Sequence, residues 1–430
     1  MQNPFLSATS RRAAAVALAA ALALAAAGCS SKAKDDDKDS GDGKQGAATI
    51  KTDKGVSADT ITVGALTDMT GVYATLGKSV TQAQQLYVDE VNAAGGICQR
   101  KLKLEVRDHG YNPQKAVGSY TELAPTVIGF SQFIGSPFVA AVKQRIDTQD
   151  KALVIPQAWS SHLLGSESIR QIGATYDVEM INAVEFLVTD MGIKESDKVG
   201  HVYFEGDYGE SALAGAKFAA DKHGLSIVEQ KIKPTDQDMT AQVTALKKAG
   251  VKAILISAGP AQSASLTGVA AAAKLQVPVV GSNPTFAPQL LKTQAAPALL
   301  AMFHVAASTL PIGDSGTGPA KLAGDYEKKY PGQLLDNGVI AGYTAAATFG
   351  DALKKACESK DLTRAGVTQA LLSMSSSDMG FGITHDFSKP DQPSTRESFI
   401  LKPDANAKGG MVVEKPAFSA PAATEFTPAM

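Results

Sequence analysis

The chain is short of the residues that enzymes and metal proteins tend to concentrate. It has three cysteines, one tryptophan and six histidines among 430 residues. His109, His162, His201, His223, His304 and His385 stand apart. None pairs with another His or a Cys at metal-ligand spacing, which argues against a metal centre. Carboxylate pairs such as Asp89 and Glu90 fall in a helical pattern, where a solvated face accounts for them. No nucleophile, base and orienting group assemble, so the reading is a protein that is not an enzyme and needs no cofactor. The formal net charge is −2 and no basic stripe runs along the chain, which excludes a nucleic-acid partner. Past residue 27 no apolar run approaches membrane-spanning length.

What is present begins with a leader. Arg11 and Arg12 precede a 15-residue apolar run over residues 13–27, which falls short of the ~20 needed to span a bilayer. Cys29 directly after Ala-Ala-Gly resembles the bacterial lipobox, which implies a lipoprotein signal peptide over 1–28 and lipidation of Cys29. Residues 29–55 follow, with four Lys and five Asp between Lys32 and Lys44 and almost no large apolar residue. Such a segment buries too little surface to offset its ordering entropy and is expected to be a disordered tether.

The folded body opens with a βαβ unit. Residues 61–66 are β-branched and apolar, 67–77 are rich in Gly, Thr and Asp, and 78–94 carry Val80, Ala83, Tyr87 and Val91 at helical spacing. Gly95 and Gly96 stop the helix, and 102–106 alternate into a second strand. A right-handed crossover puts the first loop at the carboxyl edge of the sheet, where open α/β folds bind small molecules. Gly71, Gly77, Lys78 and Ser79 look like a phosphate-binding loop, but five residues separate the glycines where that motif needs four.

Strand and helix patterns continue. Strands are predicted at 127–129, 153–156, 199–204, 227–232, 253–257, 279–280 and 302–305. Helices are predicted at 138–149, 210–223, 239–249, 262–274, 288–292, 342–357 and 363–374, and 310–319 reads as a connector. Gly313-Asp314-Ser315-Gly316 echoes a serine-protease loop, but no histidine stands in a matching context and the βα pattern is foreign to that chemistry. About 375 residues after the tether exceed one ordinary core, so two lobes are expected.

The motifs TDMTGVYATLG, VDEVNAAGGI, RDHGYNPQKAV, IPQAW, FEGDYGES, DQDMTAQVTALKKAGVKAILI and GFGITHDF, in that order, resemble the leucine/isoleucine/valine-binding family of solute receptors for ABC importers. The resemblance implies an α/β fold of the type I periplasmic-binding-protein kind. It would have two doubly wound lobes with mainly parallel sheets, joined by a hinge of three crossings. Lobe one would hold 56–173 and 311–395, and lobe two 174–310 and 396–430. It also implies a ligand site of Tyr73, Ser136, Gln157, Trp159, Tyr176, Tyr208 and Asn283. The function implied is capture of a small solute, an amino acid or related polar or aromatic compound, by hinge closure and its delivery to ABC permease subunits. An extracytoplasmic sensor that signals occupancy to a partner is the alternative. Either protein would stand outside the cytoplasm, anchored through Cys29.

Relatives that bind amino acids place a hydroxyl residue where Trp159 stands and an acid near Asn283. Loss of both polar groups argues against a simple α-amino acid and for a solute that suits an indole wall. With Cys29 lipidated, Cys98 and Cys357 remain as an even pair in an oxidising compartment, which favours a disulfide over two buried thiols.

Overall fold

The computed structural model describes residues 50–428. Cys29, the leader and most of the tether therefore lie outside the described residues. The tether is predicted to run to residue 55, but Lys51–Thr52 already pairs in parallel with Asp361–Leu362. A side chain on Gly55, at φ 77°, would collide with the Ile128 backbone. The ordered body thus starts before residue 55.

Two separate sheets organise the chain. The first has four parallel strands in the order Lys101–Asp108, Thr60–Thr67, Gly129–Phe133 and Leu153–Val154. The second has seven, in the order Met411–Phe418, Ser398–Pro403, Phe303–Ala307, Val279–Gly281, Ala253–Ser257, Lys198–Phe204 and Ser226–Ile232. Its last five pair in parallel, and the two strands nearest the C-terminus pair antiparallel. In the first sheet the chain starts on Thr60–Thr67, steps to one side and then returns to the other. That switch point lies at the carboxyl ends of Thr60–Thr67 and Gly129–Phe133, the edge where open α/β sheets bind ligands.

The strand ends are set by buried polar contacts as much as by apolar runs. Gly129–Phe133 carries Ser131 and Gln132 into the interior. Gln84 Nε2 donates to the Ser131 carbonyl at 2.7 Å, and Gln132 Nε2 donates to Thr67 Oγ1 at 2.8 Å. These bonds let a sequence that reads as a polar loop run as a core strand. The Ala74–Ala93 helix starts four residues before its predicted position. Gly77 allows this, because a Cβ there would meet the Asp68 carbonyl oxygen at 1.9 Å.

The chain passes between the sheets three times, and the three passages lie side by side. Gly173 N–H donates to Ser394 Oγ at 2.8 Å, Ala174 N–H donates to Ser308 Oγ at 2.9 Å, and Ser308 Oγ donates to the Glu397 carbonyl at 3.2 Å. Two serine hydroxyls thus tie the crossings together. Helices Ala74–Ala93 and Asn337–Glu358 pack against one another beside the first sheet, and Cys98 and Cys357 are joined by a disulfide, with Cα atoms 5.9 Å apart.

Candidate ligand cavity between the two sheets

A cavity partly open to solvent lies where the carboxyl ends of the strands face one another. One wall comes from the first sheet and its helices: Tyr73, Leu76, Val80, Ile134, Gln157, Trp159 and Ala341. The opposite wall includes Tyr176, Glu179, Asn283 and Phe286, and Ile172 and Ser308 from the crossings close the base.

Local structure explains these positions. Asp68 accepts N–H bonds from Gly71 at 2.6 Å and Tyr73 at 2.8 Å, so the loop after the first strand curls and turns Tyr73 inward. The Tyr73 hydroxyl is buried and has no hydrogen-bond partner among the described residues. Trp159 is half-buried, and its Nε1 donates to the Ile172 carbonyl at 2.6 Å, so the one indole is fixed to a hinge passage as well as to the cavity wall. Tyr176 N–H donates to the Trp159 carbonyl at 2.9 Å, and the two rings meet edge to face at 6.0 Å.

Of the seven residues expected at the site, Tyr73, Gln157, Trp159, Tyr176 and Asn283 line the cavity. Ser136 and Tyr208 do not. Ser136 begins the Ser136–Arg145 helix behind Gly135, 2% exposed. Tyr208 is 3% exposed. Its hydroxyl bonds Ser282 Oγ at 2.6 Å, and its ring supports Tyr176 from behind at 4.2 Å.

The expectation that no acid faces Asn283 is corrected here. Glu179, on the first turn of the Tyr176–Thr189 helix, is 1% exposed and lines the cavity. Its Oε1 accepts from Asn283 Nδ2 at 2.8 Å and its Oε2 from the Asn283 backbone N–H at 3.1 Å. Burial pushes this carboxyl up to about 8, against the opposing pull of the two Asn283 donors. Burial thus favours its protonated form. Sequence reading missed it because its helix is buried on nearly every side and shows no amphipathic stripe to mark an inward face. Among the described residues lining the cavity, none carries a basic side chain.

At the mouth, elements of the two sheets touch directly. Gln289 Nε2 donates to Thr75 Oγ1 at 2.9 Å, His162 Nδ1 lies 3.0 Å from Asp207 Oδ1, and Ser161 meets Ser211 at 3.2 Å. The described residues contain no cluster of three or more metal-ligating side chains. No helix among them is long and apolar enough to cross a membrane.

Residues 60–410 match the periplasmic binding protein family. Among curated proteins, the chain is 26% identical over 241 residues to Leu/Ile/Val-binding protein homolog 3 of Brucella melitensis, covering 55% of this chain and 64% of that protein. It is 25% identical over 201 residues to Leu/Ile/Val-binding protein BraC3 of Rhizobium johnstonii, covering 45% and 53% respectively. The chain thus spans less than two thirds of these relatives' length. Among solved structures, a fatty acid ABC transporter substrate-binding protein from Thermomonospora curvata superposes with a TM-score of 0.87 at 50% identity, covering 89% of this chain and 98% of that one. A branched chain amino acid ABC transporter from Thermus thermophilus with bound valine gives a TM-score of 0.77 at 20% identity, over 86% and 99%, a likeness of fold alone.

Proposed function

The chain belongs to the periplasmic binding protein family, and from that premise we propose that it is the extracytoplasmic solute receptor of an ABC importer, with a carboxylic acid of the fatty-acid class as its solute. One observation carries the choice of solute: the cavity wall is mainly aromatic and aliphatic, with a few neutral polar side chains and Glu179, and holds no basic side chain. Burying apolar chain there contributes about 25 cal/mol per Å². A desolvated zwitterion would need an anion for its ammonium and donors for its carboxylate, at roughly 1 to 3 kcal/mol for each group left unmet. Glu179 with Asn283 can serve one polar head. The 50%-identical relative named for fatty acids supports the same choice.

In this reading residues 56–173 with 311–395 and residues 174–310 with 396–430 are the two lobes, and they close over the solute by bending at the serine-tied crossings. Tyr73, Gln157, Trp159, Tyr176 and Asn283 touch the solute, while Tyr208 holds Tyr176 in place. Cys29 carries the lipid that keeps the receptor near its permease. Two acyl chains suffice for stable anchoring at about 0.8 kcal/mol per buried CH₂. Cys29→Ala should therefore leave the detergent phase in Triton X-114 partitioning, and unchanged partitioning would refute the anchor.

The solute class is tested by titrating delipidated protein while following the emission of Trp159 and the melting temperature. Saturated fatty acids at micromolar concentration should shift the emission and raise the melting temperature by mass action. Leucine, isoleucine and valine at millimolar concentration should do neither. Stabilisation by micromolar leucine would contradict the assignment.

A further inference from the structure

The cavity poses a charge problem, since a fatty acid is an anion in water and the wall offers it no cation. We propose that Glu179, held by Asn283, is the head-group anchor: it keeps its own proton and donates it to the carboxylate of the bound acid. This rests on the fatty-acid reading of the cavity. The geometry that carries it is a carboxyl side chain 1% exposed that forms part of a cavity wall with no basic side chain, while Asn283, donating to both its oxygens at 2.8 and 3.1 Å, fixes its orientation but favours the ionised form. A carboxylate that accepts two N–H bonds has no hydrogen left to offer an anion. A carboxylic acid in the same place accepts both and still directs its O–H toward the ligand.

Among the titratable groups around it, one carries a charge that favours the protonated form. Asp177 on the same helix acts on it as a like charge, and Tyr176 and Tyr208 stand beside it as neutral phenols whose own ionisation burial pushes well up. No Lys or Arg is among the groups whose charge acts on it. Burial raises the Glu179 carboxyl to about 8 in the empty cavity. The sign follows. Below that pH the donor is present and affinity is full. Above it, binding must first put a proton back, and affinity falls tenfold per pH unit. A free carboxylic acid, ionising near pH 4 to 5, is already charged across this whole range, so the change belongs to the protein. A ligand with an ammonium head would show the opposite slope, because it prefers Glu179 ionised.

The test is the affinity of dodecanoate, below its micelle concentration, measured by calorimetry from pH 6.5 to 9.5. Wild-type protein should lose roughly 30-fold between pH 7 and 9.5. Glu179→Gln keeps a neutral donor of the same shape, and the Asn283 amide can turn over to match it. This variant should show no slope, its own affinity at pH 7 and at pH 9.5 agreeing within about threefold. Asn283→Ala removes a bond that favours the ionised form, so its midpoint should move to higher pH. That second variant keeps the test open if Glu179→Gln folds poorly. A wild-type profile that is flat or rises with pH, or a Glu179→Gln profile that still falls, overturns the anchor while leaving the fatty-acid reading in place. Absence of dodecanoate binding at every pH overturns the reading and the anchor together.

Discussion

Replacing both Cys98 and Cys357 with alanine should lower the stability of the oxidised protein by about 5 kcal/mol, the largest change expected from two side chains that touch no ligand. The bridge joins the turn after the Ala74–Ala93 helix to the last turn of the Asn337–Glu358 helix, 259 residues further on. The loop it closes contains the five parallel strands of the second sheet, from Lys198–Phe204 to Phe303–Ala307. In the unfolded chain the bridge therefore holds together ends that would otherwise sample a very large volume, and the chain-entropy cost of closing a loop grows with its length. For a body of this size the change corresponds to a melting temperature lower by about 6 °C. Calorimetry of the double variant beside wild type measures it directly, and thiol titration of denatured, unreduced mature protein should find no free cysteine. An unchanged melting temperature, or two free thiols per wild-type chain, would remove the bridge from the account.

Filling the cavity should abolish ligand capture without unfolding the protein. Ala341 lies on the Asn337–Glu358 helix, lines the cavity and is not fully buried, so a larger side chain there extends into free space rather than into packed core. Ala341→Phe costs only about 0.5 kcal/mol in helix propensity. It occupies room that a solute needs, however, and squeezing extra carbon into a filled site costs a further 1 to 3 kcal/mol or displaces the ligand outright. Affinity for dodecanoate should fall at least about 100-fold, or 2.7 kcal/mol, with the melting temperature of the ligand-free protein nearly unchanged. Retained affinity would mean that the solute binds elsewhere. The phenylalanine adds no indole, so Trp159 emission remains a clean reporter in this variant.

Most strands of the two sheets were legible in the sequence because they are apolar and regularly spaced, whereas Ser398–Pro403, Met411–Phe418 and the order of the strands were not read from it. Residues 61–66 read as a strand and Thr60–Thr67 forms one; residues 253–257 coincide with Ala253–Ser257. Misreadings fall where tertiary contacts overrule local pattern. Ser131 and Gln132 look like a loop until Gln84 and Thr67 satisfy them inside the core. The helix Thr317–Lys329 begins within the Gly- and Pro-rich stretch read as a connector. Residues 288–292 were expected as a helix and form a short 3₁₀ segment that opens on Pro288.

The candidate site shows the same division. Tyr73, Gln157, Trp159, Tyr176 and Asn283 follow strands, or open the helix after a crossing, at positions where a family motif can be matched, so the family resemblance pointed to them. Glu179 could not be found that way. It sits in a helix whose residues 176–184 are all buried, and it acquires its meaning from Asn283, more than 100 residues later in the chain. A carboxyl's role depends on what desolvates it and what donates to it, and neither is written next to it in sequence.

The cavity between the sheets is expected to hold a fatty acid. Native mass spectrometry of protein purified without denaturation or lipid extraction tests it most directly, with the released solute identified after organic extraction. The account predicts one fatty acid per chain in wild type and none in Ala341→Phe. A branched-chain amino acid in its place, or a fatty acid retained equally by Ala341→Phe, would contradict it.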